Sequence, residues 1–282
     1  MVLVDTGSTD RSAEIVQAHG LEHHVFSWTG HFSEARNYSL SLAQRDWILV
    51  LDMDERMLPS DVALLRERMS ESGRDAFSLR QVTFTDTVED LGWRGIETLP
   101  PAFHAVARGY VVSPLIRAFR NFAGIHFHGA IHELVGESIA RQNLSSMVTD
   151  IPVYHYGWVA SARTDEEKLL KRRAYARMIR KAWEEDPSPK MAYYYVSTLE
   201  DPEEKLRILY RLTRQYPEVR QFWEAMTQSA VGLQQYDRAL AYAERGLSLH
   251  PESFPLLVLK ARLLNETGHP CQAAELLAVL LR

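Results

Sequence analysis

A sequence repeat marks the C-terminal part of this chain. Tyr216-Pro217-Glu218 recurs as His250-Pro251-Glu252, and Ala239 and Ala273 are separated by the same offset. A fixed period of about 20 to 50 residues indicates a repeated supersecondary unit, which buries its apolar face only against neighbouring units. The two alanines fall at equivalent positions of predicted helices. We therefore predict that this part is all-α and built from stacked helical units.

The repeated unit resembles the tetratricopeptide repeat, whose period is about 34 residues. One unit matches at Gly232, Tyr236, Ala239, Leu240, Ala243, Gly246, Leu247 and Pro251. The next unit matches at Gly268, Ala273 and Leu276, and a shorter, degenerate unit is predicted between Pro189 and Tyr216. The resemblance implies that three units stack into a solenoid, which offers a surface for a possible protein partner.

Strands alternate with helices in the N-terminal part. The apolar run Met1–Val4 leads into Asp5-Thr6-Gly7-Ser8-Thr9-Asp10, and Trp47–Leu51 leads into Asp52-Met53-Asp54-Glu55. Helices are predicted over about 10–19 and 33–44. The alternation predicts a three-layer, Rossmann-like α/β domain with a mostly parallel sheet, in which strand 47–51 is covered on both faces. Ligands of such sheets bind outside the carboxyl ends of the strands, where both acidic segments fall.

The two patterns meet near residue 160. Shorter β-type runs between residues 76 and 152 complete the α/β part, and the sequence becomes helical soon afterwards. A length of 282 residues agrees with about two domains of roughly 150 residues each. We predict an α/β domain over 1–160 and a helical domain over 161–282.

Composition excludes several classes of protein. The net charge of −5 gives no general attraction to nucleic acid. The single cysteine, Cys271, excludes an intramolecular disulfide, so a reducing, cytoplasmic setting is expected. The longest apolar stretches are far shorter than the roughly 18 residues that indicate a transmembrane helix. We expect a protein without a transmembrane segment and without a nucleic-acid partner.

Asp52 and Asp54 form a candidate cation site. In extended geometry, two residues separated by one have side chains on the same face of the strand. Hard divalent ions such as Mg²⁺ or Mn²⁺ prefer carboxylates together with phosphate oxygens of a substrate. The pair therefore predicts a metal site that holds a nucleotide diphosphate. The alternative is an exposed acidic turn after a strand.

The segment from Asp5 to Asp10 admits two interpretations. It can be a turn followed by a helix N-cap. Together with Asp52 at the end of a second strand, it can instead bind one end of a nucleotide while the phosphates lie near the other acidic segment. The pairing of the two acidic segments favours nucleotide binding.

Five ordered segments resemble the family 2 glycosyltransferases of the GT-A fold. They are Val4 to Asp10, Phe32 to Asn37, Trp47 to Glu55, Gly129 to Glu133 preceded by Ile116 to Arg120, and Tyr154 to Gly157. The match is similar to the bacterial branch with C-terminal tetratricopeptide repeats, which includes peptide S-glycosyltransferases. The resemblance implies a transferase of hexosyl type that uses a nucleotide-sugar donor, with UDP-sugar expected.

The resemblance assigns roles to five side chains. Asp5 corresponds to the acid that contacts the uracil or ribose, and Arg36 to a nucleotide or pyrophosphate contact. Asp52 and Asp54 match the family's Asp-x-Asp, in which the second acid holds the metal and the first leans toward the ribose. His155 is a candidate third metal contact to Mn²⁺ or Mg²⁺, or else a structural histidine.

His132 and Glu133 occupy the region where the family has its catalytic base. Family 2 enzymes invert the anomeric configuration, so one group takes the proton from the acceptor. Glu133 is the predicted base, and His132 is the second candidate because its ordinary pKa is near neutrality. The alternative is that Glu133 only forms a salt bridge, to Arg117 or Arg120.

Members of the family usually have one more strand and helix before the segment that starts at Val4. The GT-A domain is therefore expected to be N-terminally truncated, through a wrong start, a fragment or a decayed enzyme. The predicted function is metal-dependent, inverting transfer of a sugar to a peptide, glycan or lipid-linked acceptor. The alternative is a catalytically impaired tetratricopeptide scaffold that binds a partner protein.

Overall fold

The computed structural model describes residues 1–87, 92–157, 159 and 165–280. The chain divides into two compact units, Met1–Glu166 and Glu167–Arg282. Residues 160 and 161, on either side of the predicted boundary, lie outside the described residues. The first unit is a mixed α/β domain and the second contains only helices. The predicted fold class, α/β followed by all-α, is confirmed.

The N-terminal unit contains eight described strands and four α-helices that precede the long helix at the start of the helical part. In chain order they are β1 (Leu3–Asp5), α1 (Ser12–Ala18), β2 (His23–Val25), α2 (Phe32–Ser41), β3 (Trp47–Leu49), β4 (Glu55–Arg56), α3 (Pro59–Glu71), β5 (Ala76–Thr85), β6 (Arg94–Gly95), β7 (Gly109–Arg120), α4 (Gly136–Arg141) and β8 (Ser146–His155).

The prediction of a mostly parallel sheet is wrong. The strands β1 and β2 pair in parallel as a separate sheet, and a six-stranded sheet has the order β3-β7-β5-β8-β4, with β6 beside β7. Among the described strand pairs of the larger sheet, only β5 and β8 are parallel. The reason lies between β5 and β7, where the described connection holds two single-turn 3₁₀ helices rather than a crossover α-helix. Without such a crossover the chain returns antiparallel.

The apolar run 47–51 is not a central strand. Its regular part, β3, lies at one end of the sheet order, and its one partner among the described strands is β7. Ile48 packs in the core, whereas Leu49 and Leu51 are about 40% exposed. The strand covered on both faces is β5, whose residues Ala76 to Leu79 are all buried. Continuous apolar character alone does not distinguish an edge strand from a central one.

The helical unit begins with the long helix α5 (Asp165–Glu185). It continues through α6 (Pro189–Thr198), α7 (Pro202–Gln215), α8 (Arg220–Gly232), α9 (Tyr236–Leu249), α10 (Phe254–Glu266) and α11 (Pro270–Leu280). The offset between the starts of α8 and α10 equals that between Pro217 and Pro251, and the starts of α9 and α11 repeat it. The repeat predicted from the sequence is therefore present as successive helix pairs.

Equivalent small residues pack between the helices of the repeat. Ala239 and Ala273 are buried at the fourth position of α9 and α11. A Cβ at Gly246 would lie 2.7 Å from Leu256 and 2.9 Å from Trp223, so only glycine allows the neighbouring helices to approach this closely. None of the helices in the described ranges combines the length and the apolar character that a bilayer crossing requires.

Candidate functional site

A short closed loop holds the two candidate bases. His128 and Leu134 exchange two backbone hydrogen bonds of 3.0 Å, which close the loop between them. Ile131 in this loop is almost fully buried and anchors it in the protein. The backbone N–H of Phe32, at the start of α2, donates to the carbonyl of Ala130 at 2.8 Å. The first turn of α2 is thereby fixed against the loop that carries Glu133.

Arg36 lies one turn further along α2 and joins two carboxylates. Its Nε donates to Oε1 of Glu133 at 2.5 Å, and its Nη2 donates to Oδ1 of Asp52 at 2.6 Å. The guanidinium also lies over the ring of Phe127, 5.5 Å from the ring centroid. Glu133 does form a salt bridge, but its partner is Arg36 and not Arg117 or Arg120.

Asp52 and Asp54 do not share an extended strand. The strand β3 ends at Leu49, and the backbone N–H of Glu55 donates to the carbonyl of Asp52 at 3.0 Å, which makes a turn. The prediction of side chains on one face of a strand is therefore wrong. Asp52 faces Arg36, whereas Oδ2 of Asp54 lies 3.5 Å from Nε2 of His155. The turn separates the two acids into neighbouring clusters.

Two residues of this network, Glu55 and Arg117, were not predicted as functional. The carboxylate of Glu55 is fully buried and accepts hydrogen bonds from Arg117 and from Nε2 of Gln81, the latter at 2.6 Å. Arg117 also reaches Oδ2 of Asp52 at 3.3 Å. Two sequence signals existed: Glu55 is an acid directly after Asp-x-Asp, and Arg117 is an arginine within the apolar segment 115–119. The partner of each could not be read from these signals.

Charge pairing decides the ionisation of this cluster. Burial raises the pKa of Asp52, but the attraction of Arg36 and Arg117 outweighs it, so the pKa is lowered overall. Burial likewise lowers the pKa of Arg36, and the charges of Asp52 and Glu133 outweigh that effect and raise it. Asp52 is therefore an ionised carboxylate with a guanidinium on each oxygen.

Asp54 and His155 form the second cluster. The hydrogen bond to Asp54 raises the pKa of His155 above its ordinary value, against the opposing effect of burial. The other ring nitrogen, Nδ1, lies 3.3 Å from Oγ1 of Thr83. A Cβ at Gly157 would lie 2.4 Å from Oδ2 of Asp54 and 2.7 Å from Nε2 of His155, so only glycine leaves the space around these two atoms open.

The donor set fits a hard divalent cation only in part. Both oxygens of Asp52 are engaged by arginines, which leaves Asp54 and His155 as donors. Within the part of the chain that the structure describes, no group of three or more His, Cys, Asp or Glu side chains has the geometry of a metal site. Mg²⁺ is commonly held by one or two carboxylates and completes its shell with water and substrate phosphates. Asp54 and His155 fit such a site when a substrate supplies oxygen ligands.

Asp5 ends β1 and makes local contacts. Its Oδ1 accepts from the backbone N–H groups of Gly7 and Ser8 at 3.0 and 2.8 Å, and its Oδ2 lies 3.2 Å from Nε2 of His23. These hydrogen bonds, that from the Ser8 N–H above all, lower the pKa of Asp5 to about 2. Within the described residues the structure links Asp5 to His23 and not to the Arg36 network.

His132 has an unusual backbone conformation. Its φ is +52°, in the left-handed region that non-glycine residues rarely adopt. Such a conformation costs on the order of 1 to 3 kcal/mol and persists only where the surroundings impose it. Here the closed loop between His128 and Leu134 imposes it. The structure thus brings Arg36, Asp52 and Glu133 together, with His132 adjacent to Glu133 in the same loop.

Comparison with known proteins gives one family match, in the N-terminal region. Residues 1–124 match the family model Glycosyl transferase family 2. A TPR repeat-containing protein of Synechococcus elongatus is 31% identical over 165 residues, which are 56% of this chain and 36% of that protein. The chain therefore spans about a third of the length of this curated relative.

Two solved structures show a distant similarity. The fragment 1–349 of TarS from S. aureus, in complex with UDP, is 13% identical with a TM-score of 0.40, and the match covers 94% of this chain and 81% of that one. A thermophilic TPR protein of Thermus thermophilus is 17% identical with a TM-score of 0.35, over 40% of this chain and 66% of that one.

Proposed function

Since residues 1–124 match the family model Glycosyl transferase family 2, we propose that this protein is a metal-dependent, inverting glycosyltransferase of hexosyl type. Its donor is a nucleotide diphosphate sugar, with UDP as the nucleotide. The observation that carries the proposal is the position of Arg36, which contacts both Asp52 and Glu133. One guanidinium therefore lies between the proposed donor contact and the proposed base.

Three residues are proposed to bind the donor. Asp5 contacts the uracil or ribose, Asp52 the ribose, and Arg36 the diphosphate. Arg36 suits an anionic diphosphate because a guanidinium offers several fixed N–H donors, and here the stacking on Phe127 orients it. Asp52 is held ionised by two arginines, so it can accept hydrogen bonds from sugar hydroxyls.

Asp54 and His155 are proposed to hold Mn²⁺ or Mg²⁺. When bound, the cation neutralises the charge that develops on the departing diphosphate. Asp54 is the more exposed of the two acids, with 47% of its side chain accessible, so it can reach a substrate-bound ion. Asp52 is not proposed as a direct ligand of the cation, because its oxygens face Arg36 and Arg117. Its negative charge contributes to the electrostatic field at the cation.

Glu133 is proposed as the base. In an inverting transfer the acceptor attacks the anomeric carbon while the diphosphate leaves, so the acceptor must lose its proton to a nearby group. Oε1 of Glu133 accepts from Arg36, and the proposal assigns the uptake of this proton to the second oxygen, Oε2. His132, next to it in the loop, is the second candidate.

The helical unit is proposed to recruit the acceptor, which can be a peptide, a glycan or a lipid-linked sugar, or to bind a protein partner. Stacked repeats present extended surfaces of this kind. We propose a cytoplasmic setting, in which the exposed thiol of Cys271 stays reduced.

Calorimetric titration of UDP in the presence of Mn²⁺ tests the donor proposal. Binding is expected, and Asp54→Ala should remove its metal-dependent part. The matched control is Asp150→Asn, an exposed acid on β8, which should bind UDP normally. Absence of UDP binding, or metal dependence that survives Asp54→Ala, would contradict the proposal. If the protein is instead a catalytically impaired scaffold, neither the unmodified protein nor Asp54→Ala should bind UDP.

The base is tested by separating binding from transfer. Glu133→Gln should keep UDP affinity and lose turnover of the sugar donor, because the amide cannot take a proton. The control is Glu137→Gln, an exposed glutamate of α4 paired with Arg141, which should keep full turnover. Unchanged turnover in Glu133→Gln would exclude Glu133 as the base and favour His132.

A further inference from the structure

Arg117 is a buried cation in the longest strand of the sheet. Its side chain is 8% exposed. The next two residues of β7, Ala118 and Phe119, are buried in the core. Taking a charged group out of water costs several kcal/mol, and the structure must compensate with a partner and hydrogen bonds. The partner is Glu55, whose side chain has no exposed surface.

Glu55 connects three strands that are distant in sequence, β4, β5 and β7, and also bonds to the turn that precedes it. It belongs to β4, its Oε1 accepts from Gln81 on β5 and from Arg117 on β7, and its Oε2 accepts from the backbone N–H of Asp52 at 2.9 Å. Both carboxylate oxygens are therefore used. The backbone of Asp52 cannot move without breaking one of these bonds.

The side chain of Asp52 is fixed by the same pair. Nη2 of Arg117 donates to Oδ2 of Asp52 at 3.3 Å, on the side opposite to the contact of Arg36 with Oδ1. Asp52 is thus held at its backbone by Glu55 and at its carboxylate by Arg117 and Arg36. Hydrogen bonds between charged groups add geometric specificity as well as energy, so these contacts restrict the orientation of the Asp52 carboxylate.

A purely stabilising function explains this arrangement poorly. A buried ion pair is typically no more stable than an apolar pair of similar volume, because desolvation offsets the attraction. What an apolar pair could not do is orient the carboxylate and the backbone of Asp52. We propose that Glu55 and Arg117 are positioning residues, which preorganise Asp52 for donor binding and act through it without touching donor or metal. This inference rests on the proposed function.

Affinity for the donor should therefore depend on Glu55 and Arg117, although the donor contacts neither residue. Preorganisation lowers the cost of ordering the site when the ligand binds. Without it, Asp52 must be ordered by the donor itself, so affinity falls. The chemical step with bound donor should change less, because Glu133 is held by Arg36 and not by this pair.

The test is a double variant, Glu55→Gln with Arg117→Met, which removes both charges and leaves no unpaired ion. We expect the Kd for UDP, titrated with Mn²⁺ present, to rise about tenfold or more, the usual effect of losing an orienting contact. The donor KM should rise in parallel, while kcat at saturating donor should fall by less than about threefold. The control Arg80→Met, a half-buried arginine of the neighbouring strand paired with Asp150, should bind UDP normally.

A second variant keeps the proposal testable if the double variant does not fold. Arg117→Lys retains the buried cation for Glu55, but its ammonium lies on a flexible stem and lacks the fixed planar geometry with which Nη2 of Arg117 contacts both Glu55 and Asp52. It should weaken UDP binding less than the double variant does, yet measurably more than Arg80→Met. A folded variant of either kind with unchanged UDP affinity overturns the positioning function. Failure of the unmodified protein to bind UDP overturns the proposed function, and this inference with it.

Discussion

Nε of Arg36 donates to Oε1 of Glu133 across 97 positions of sequence, at 2.5 Å. The contact joins the second turn of α2 to the closed loop before α4. It is possible because the backbone of Phe32 is already bonded to that loop at Ala130. A helix start and a loop thus share one ion pair at the centre of the candidate site.

Loss of this ion pair should destabilise the N-terminal unit. In Arg36→Met, the largely buried carboxylates of Glu133 and Asp52 lose a common partner, and breaking a buried pair on one side costs about 3 to 5 kcal/mol. Because Arg36 retains some exposure, we expect a loss near the lower end. Urea unfolding measures the change. The exposed pair Glu137 and Arg141 gives the control, since Arg141→Met should cost less than about 1 kcal/mol.

The titration of His155 should depend on Asp54. The hydrogen bond that the protonated ring of His155 donates to Asp54 raises the pKa of His155, so Asp54→Asn should lower that pKa in an NMR titration of the ring protons. A group with a raised folded-state pKa adds stability that is fully present below its unfolded value and is lost as the pH rises through the folded value. Stability of the unmodified protein should therefore fall as the pH rises from the ordinary histidine pKa through the raised folded-state pKa of His155, and less so in Asp54→Asn. Asp150→Asn should leave the titration of His155 unchanged, and an equal shift in that variant would contradict the assignment.

Gly157→Ala should impair the metal site more than the fold. The added Cβ would lie 2.4 Å from Oδ2 of Asp54, and this oxygen is the end of an exposed side chain that can rotate away. The fold is therefore retained while Asp54 and His155 are pushed apart. We expect weaker Mn²⁺ affinity in the presence of UDP, measured by titration, with little change in melting temperature. Gly232→Ala, which meets no atom within 4 Å, is the control, and an equal loss of Mn²⁺ affinity in both variants would refute the steric argument.

Gly246→Ala should destabilise the helical unit. Its Cβ would meet Leu256, which is fully buried, at 2.7 Å and Trp223 at 2.9 Å. Neither neighbour can withdraw without repacking, and overpacking of a core typically costs about 1 to 3 kcal/mol. Thermal unfolding monitored by circular dichroism measures the effect. The same measurement on Gly232→Ala should give little change, and equal melting temperatures for the two variants would show that the repeats can separate at Gly246 without cost.

The helical repeats were predictable because each repeat is specified by residues that are close together in sequence. Each repeat contacts its neighbours, so the offset between Pro217 and Pro251 in sequence becomes the same offset between helices α8 and α10. The site was predictable only as a set of residue types. The Asp-x-Asp segment and the loop with Glu133 were found from their motifs, and their functional assignments remain predictions.

By itself the sequence determined an α/β unit followed by helical repeats, and a resemblance to family 2 glycosyltransferases that a family model matches over residues 1–124, because periodicity and motif order are properties of short segments. Only the tertiary structure decided the strand directions, since β7 pairs with β3 and β5 through contacts distant in sequence. It also decided that Asp52 belongs with Arg36 and Arg117 whereas Asp54 belongs with His155. Two acids separated by a single residue have different partners because they lie on a turn rather than on a strand. Which charges pair in the interior depends on which strands the fold brings together.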